Sequence, residues 1–198
     1  AYIGSHIEVA KALGFEAINS EPLLNYFHYH RAYKSKYEHE CLRQSNRLAV
    51  TAHKAARDAF YQGDSEYDIQ QAYLKSIGYG TNDTPYGNII ALNEHCSILH
   101  YTNLNRATPP VHRSFLIDAG ANFNGYSADI TRSYSYKNDK FSELIASMDK
   151  LMLNAVDGLK PGISYVDLHI ATYKAIGQVL HDFNFIKVTA DTAVESGI

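Results

Sequence analysis

The stretch FLIDAGANFNGYSADITRSY, residues 115–134, reads as two strands joined by an Asn-Phe-Asn-Gly turn. Asp118 ends an apolar run, and Asp129 follows eleven positions later on the far side of the turn. Side chains alternate along a strand with period two, so parity decides which residues share a face. If the turn is the four residues 122–125, Asp118 lies directly across from Asp129, with Cβ atoms about 4.5–5.5 Å apart. If the hairpin turns tightly at Asn124-Gly125, the register moves by two and the pair becomes diagonal, roughly 7–8 Å apart. Both registers keep the carboxylates on one face, where like charges repel and something must compensate.

Three compensations are available: a shared proton, an Arg or backbone cap on each carboxylate, or a cation between them. The pattern leaves two readings open. Asp118 caps the Ala119-Gly120 turn while Asp129 faces solvent, or the pair bridges two divalent ions ~3.5–4 Å apart. The second reading requires more oxygen or nitrogen ligands than two aspartates supply. His100, in the strand-like run SILHYT, reads as a hydrogen-bonded core histidine or as a ligand or substrate-contacting group. Tyr86, after Pro85 at the entrance to the sheet, reads as a packing tyrosine. His95, in ALNEHC, is ambiguous, and the other histidines, His53 and His112 among them, are expected at the surface.

Working outward, NIIALN, SILHYT, RSFLIDAG and GYSADITRSYSY form an antiparallel β region from 88 to 136. Before it, apolar residues recur at helical spacing from about 23 to 60, with a bend near Ala32-Tyr33. A second helix starts at Ser65, with Asp68 as capping partner, and ends at Gly78. After it, helical spacing returns from Phe141 to Val156, and a last helix runs from Ser164 to about Phe183. GDSEYDIQQAYLKSIG (63–78) and GISYVDLHIATYKAIG (162–177) match at seven of sixteen positions without a gap. Two unrelated capped helices would account for this, and so would a duplicated helix–helix–sheet unit whose second copy stops before its strands. Residues 1–22 read as strand, helix and strand, the tail of a preceding domain; residues 23–198 form the domain that follows. The chain begins Ala1-Tyr2-Ile3-Gly4 without Met and stops with no helix or strand closing it, so a piece of a longer protein is expected.

Composition excludes several classes. With 198 residues, 45% hydrophobic and 20% charged, the chain is globular and can bury a real core. A net charge of −3 without a basic tract argues against nucleic-acid binding. No apolar run reaches ~18 residues, so no membrane span is expected. Cys41 and Cys96 have no metal-type spacing, and two cysteines make no disulfide framework, which fits a reducing compartment. There is no phosphate loop, HExxH or GxSxG, and no tryptophan to form a sugar platform.

TPYGNIIALNEHCSILHYTNLNR followed by RSFLIDAGANFNGYSADITRSY resembles the bacterial Xaa-Pro dipeptidases (prolidases). These are metallopeptidases of the duplicated pita-bread fold, shared with methionine aminopeptidase and aminopeptidase P. The resemblance runs along the whole chain and is densest from 84 to 134. It implies an α+β fold, the first half of a pita-bread domain with an antiparallel sheet and helices on one face, ending before the second half-sheet. It also implies two divalent ions, usually Mn²⁺, held by two Asp, one His and two Glu. By motif position the aspartates are Asp118 and Asp129, His100 contacts substrate and stabilises the tetrahedral intermediate, and Tyr86 lines the pocket for the substrate's small end. The metal-binding His of an HGxGH-type stretch and the two Glu, one in an EPG stretch, have no counterpart here. The implied activity is hydrolysis of Xaa-Pro dipeptides by a dimanganese-activated hydroxide in a cytoplasmic homodimer, with this chain alone inactive. Alternatives are an aminopeptidase P-like or organophosphate-hydrolysing relative, or a metal-free binding module.

Overall fold

The computed structural model describes residues 1–197. Alternation in the strand Ser114–Ala119 sets its layers: Phe115, Ile117 and Ala119 are fully buried, whereas Ser114, Leu116 and Asp118 are half-buried on the opposite face. With β1 as Ile89–Leu92, β2 as Ser114–Ala119, and β3 to β5 as Asn122–Phe123, Tyr126–Ser127 and Ile130–Ser135, the main sheet has the order β1-β2-β5. Both of its pairings are antiparallel. Asp118 pairs with Thr131 and Ala119 with Ile130, and β3 pairs with β4 in the same register. The tight hairpin is therefore the one that forms. Asn124 (φ 51°) and Gly125 (φ 82°) both take the left-handed conformation that a two-residue turn of this hand demands.

Helices α1 to α4 are Ile7–Ala12, Glu21–Ala32, Lys36–Gln62 and Glu66–Ser76. Phe60 of α3, with Ile69 and Tyr73 of α4, packs on Ile90, Phe115 and Ile117 of the sheet, all with no exposed surface. Burying each such side chain stabilises the fold by roughly 1.5–3 kcal/mol. A capping box between Ser35 and Glu38 starts α3, and Gly63 at φ 89° ends it. The expected bend near Ala32-Tyr33 is a break between α2 and α3. Tyr2 and Ile18 form a parallel bridge flanking α1, in keeping with a strand–helix–strand start.

Helices α5 to α7 are Lys140–Asp157, Tyr165–Asp182 and Ala190–Ser196. The two sequence-similar helices begin alike. Gly63 and Gly162 take φ 89° and 91°, and Ser65 and Ser164 accept from the backbone N–H of Asp68 and Asp167. They end differently: Gly78 follows the end of α4 at φ 71°, whereas Gly177 is buried inside α6, where a Cβ would stand 3.3 Å from Ala190 Cα.

Two expectations are corrected. SILHYT is not a strand: residues 93–97 form a 3-10 helix, 99–100 a turn and 101–106 irregular chain. The C-terminal region does carry a regular element, α7, capped by Thr189; Ile198 lies outside the described residues.

Candidate metal centre

Asp118 points to the sheet face opposite Phe115 and Ile117, so the strand's parity keeps its charge out of the apolar core. Asp129 lies just before β5, with the parity of Thr131, and is exposed. Tyr86 brings the two together. Its hydroxyl lies 3.0 Å from Asp118 Oδ1 and 2.7 Å from Asp129 Oδ1. A phenol has one O–H, so the two carboxylates share a single donor. Thr131 Oγ1 donates to the other Asp118 oxygen at 2.8 Å. Burial, then the two carboxylates, Asp129 ahead of Asp118, push the Tyr86 phenol far above the ordinary tyrosine range. Asp118 is thus held by hydroxyls and does not cap the Ala119-Gly120 turn as one reading had it.

The backbone beneath this pair is fixed from the core side. His53 Nε2 lies 3.0 Å from the Ala119 carbonyl oxygen, and the Tyr73 hydroxyl donates to the Gly120 carbonyl at 2.9 Å. His53 is 5% exposed, which corrects its expected place at the surface; burial lowers its pKa, and Nδ1 has no hydrogen-bond partner. His112, also expected at the surface, is half-buried, with Nε2 3.0 Å from the Asp64 carbonyl oxygen. At Gly120 a Cβ would meet Pro85 Cγ at 2.9 Å and Tyr86 Cε1 at 3.0 Å, so the missing side chain is what admits Pro85-Tyr86.

His100 is placed elsewhere: in a turn at φ 54°, exposed, and not among apolar strand neighbours as its sequence context suggested. The ambiguous His95 has a defined partner, with Nδ1 2.7 Å from Glu66 Oε1. Glu66 is 2% exposed and escaped the sequence reading. Its helix-start setting looks like a surface position, and its partners lie 26 to 39 positions downstream.

A match to metallopeptidase family M24 spans residues 40–190. The chain belongs to this family. It is 84% identical over all 198 residues to an Xaa-Pro dipeptidase of Colwellia psychrerythraea and 56% identical over 199 aligned positions to one of Pseudoalteromonas translucida. Each alignment covers the whole chain and 45% of the relative, so the chain spans about half the length of the curated relatives it matches. Among solved structures, the low-pH form of Escherichia coli aminopeptidase P superposes with a TM-score of 0.74 at 24% identity, over 83% of this chain and 38% of that one. Proline aminopeptidase P II of Yersinia pestis gives 0.70 at 24%, over 87% and 40%. The fold is therefore α+β, part of a pita-bread M24 domain.

A metallopeptidase family implies divalent ions, and the donors here suit them in kind. Two carboxylates converging on one point are hard oxygen ligands for such a cation. Two donors alone make no closed site: among the described residues no group of three or more His, Cys, Asp or Glu converges. No described helix is long and apolar enough to cross a membrane.

Proposed function

We propose that the protein containing this chain is an Xaa-Pro dipeptidase, a cytoplasmic homodimer that hydrolyses the bond before proline with two Mn²⁺ ions. The observation that carries this is the convergence of Asp118 and Asp129 on one hydroxyl, in an M24 chain so close to proteins named Xaa-Pro dipeptidase. Asp118 and Asp129 would hold the ions, with the remaining ligands from the part of the protein that this chain does not span. Divalent ions held there would supply an acidified water, so that hydroxide is available near neutral pH, and Lewis-acid polarisation of the scissile carbonyl.

This chain's own residues do the rest. His100, exposed and free to meet a ligand, contacts the substrate and donates to the oxygen that gains charge. Tyr86 lines the pocket for the substrate's small end, and its hydroxyl bridges the two carboxylates until the ions take its place. The proline nitrogen carries no N–H, so contacts of the ordinary peptidase kind are unavailable there and shape must replace them. Residues 1–22 belong to a preceding domain that helps close the pocket and form the dimer.

Assay of the full-length protein with Mn²⁺ on Ala-Pro, on an Xaa-Pro-Xaa tripeptide and on a phosphotriester tests the reading. Dipeptide cleavage is expected to dominate. Cleavage of the tripeptide but not the dipeptide would indicate an aminopeptidase P-like enzyme, preferred phosphotriester turnover an organophosphate hydrolase, and no turnover a binding module. The 198-residue chain alone is expected to be inactive.

A further inference from the structure

Glu66 occupies the first turn of α4 with 2% of its surface exposed, a place where carboxylates are rare unless fully partnered. Its two oxygens hold different parts of the chain. Oε1 accepts from Leu92 N at 2.9 Å and from His95 Nδ1 at 2.7 Å. Oε2 accepts from the Tyr101 hydroxyl at 2.7 Å and from Asn105 N at 2.9 Å. One oxygen thus grips the arm entering segment 93–106, and the other grips the arm leaving it. The rings of His95 and Tyr101 stack between the arms, centroids 4.5 Å apart. The neighbouring Tyr67 reinforces the exit: its N–H donates to the Asn105 carbonyl at 3.1 Å, and Arg106 lies 3.7 Å over its ring. Segment 93–106 has no strand ladder, so these bonds take the place of one. His100 stands between the two grips, at φ 54°.

We propose that Glu66 is a positioning residue that clamps both arms of segment 93–106 and thereby sets where His100 stands. The catalytic consequence rests on reading His100 as the substrate-contacting group; the clamp itself does not. An ionised carboxylate accepts on both oxygens, whereas a Gln amide turns donors toward one pair of donors and releases that arm. Tyr101→Phe is the milder probe, since it removes one donor and keeps the ring stacked on His95.

The test uses the full-length protein and the variants E66Q, Y101F and H100N, with E66Q and Y101F also combined with H100N. Amide hydrogen exchange over 93–106 is measured together with kcat and KM. Exchange in that segment should rise about tenfold or more in E66Q and Y101F while β2 is unchanged, since local opening is read segment by segment. Both variants should lower kcat more than they raise KM, and neither should add more than about twofold to the loss in H100N. Unchanged exchange over 93–106 in both variants, or losses that multiply with that of H100N, would overturn the proposal. If H100N alone leaves kcat intact, the catalytic reading of His100 falls and the exchange measurement by itself decides the clamp. If E66Q does not fold, Y101F carries the test.

Discussion

Gly120 and Ala128 face one another so closely that a Cβ built on Gly120 would overlap the Ala128 carbonyl oxygen. The same missing side chain leaves room for Pro85 and Tyr86, and hence for the hydroxyl shared by Asp118 and Asp129. Gly120→Ala cannot relax by moving a flexible side chain, because the obstacle is backbone. It should destabilise the chain by about 3 kcal/mol, the upper end for overpacking, and separate Tyr86 from the aspartates. A denaturant midpoint within experimental error of the wild type would sink this account.

The carboxylates already have a partner in Tyr86, so an arriving cation competes with its hydroxyl. The 198-residue chain should bind Mn²⁺ at about millimolar or weaker, the weak end for carboxylate sites. Tyr86→Phe removes the competitor and should tighten binding by about fivefold, the equivalent of ~1 kcal/mol for one half-exposed hydrogen bond. Asp118→Asn should abolish it. Calorimetric titration decides the matter, and tight two-ion binding by the wild-type chain would show that the site is already complete.

Much of this arrangement was legible in the sequence, and what was missed has identifiable causes. Parity alone put Asp118 and Asp129 on one face, and the register lay in Asn124-Gly125, the pair best able to take φ above zero twice. Capping residues located α4 and α6 because caps are local chemistry, whereas apolar spacing alone found α3 and ran it together with α2. SILHYT misled because its Ile and Leu imitate a buried strand, although Leu99 is 91% exposed and the segment's hydrogen bonds go to a distant carboxylate. No local signal points to Glu66, whose role exists only after the chain returns to it. His53 did carry a signal: it lies on the α3 face of Ala49, Ala52, Ala56 and Phe60, all buried.

Tyr73, Tyr86 and Tyr101 have phenols raised above the usual tyrosine value, burial being the largest cause in each. Tyr86 has its two aspartates, and Tyr101 has Glu66, as further causes. A raised folded pKa means that the native state keeps protons that the unfolded chain loses. Stability from these groups is complete below about pH 10 and falls as pH rises toward the folded values. The slope approaches ~1.4 kcal/mol per pH unit for each tyrosine held protonated, less for the half-exposed Tyr86. Unfolding curves between pH 9 and 12 should therefore steepen in their loss, and Tyr73→Phe should flatten the trend. A stability flat across that range would contradict these environments.

His53 works in the opposite direction. Burial, the largest influence, lowers its pKa; the Ala119 carbonyl raises it, Arg132 lowers it and Asp118 raises it. Because Nε2 must donate to the Ala119 carbonyl and Nδ1 has no partner, the neutral ring is the form that fits. The unfolded chain then binds a proton that the native state refuses, so stability rises with pH. Its contribution is complete above about pH 6.5, the unfolded value, and is lost as pH falls below it. His53→Asn should lower stability at pH 7.5 by about 1–3 kcal/mol through the unpaired Ala119 carbonyl, yet remove the additional loss between pH 6.5 and 5. Parallel wild-type and variant curves over that interval would mean that His53 does not titrate there.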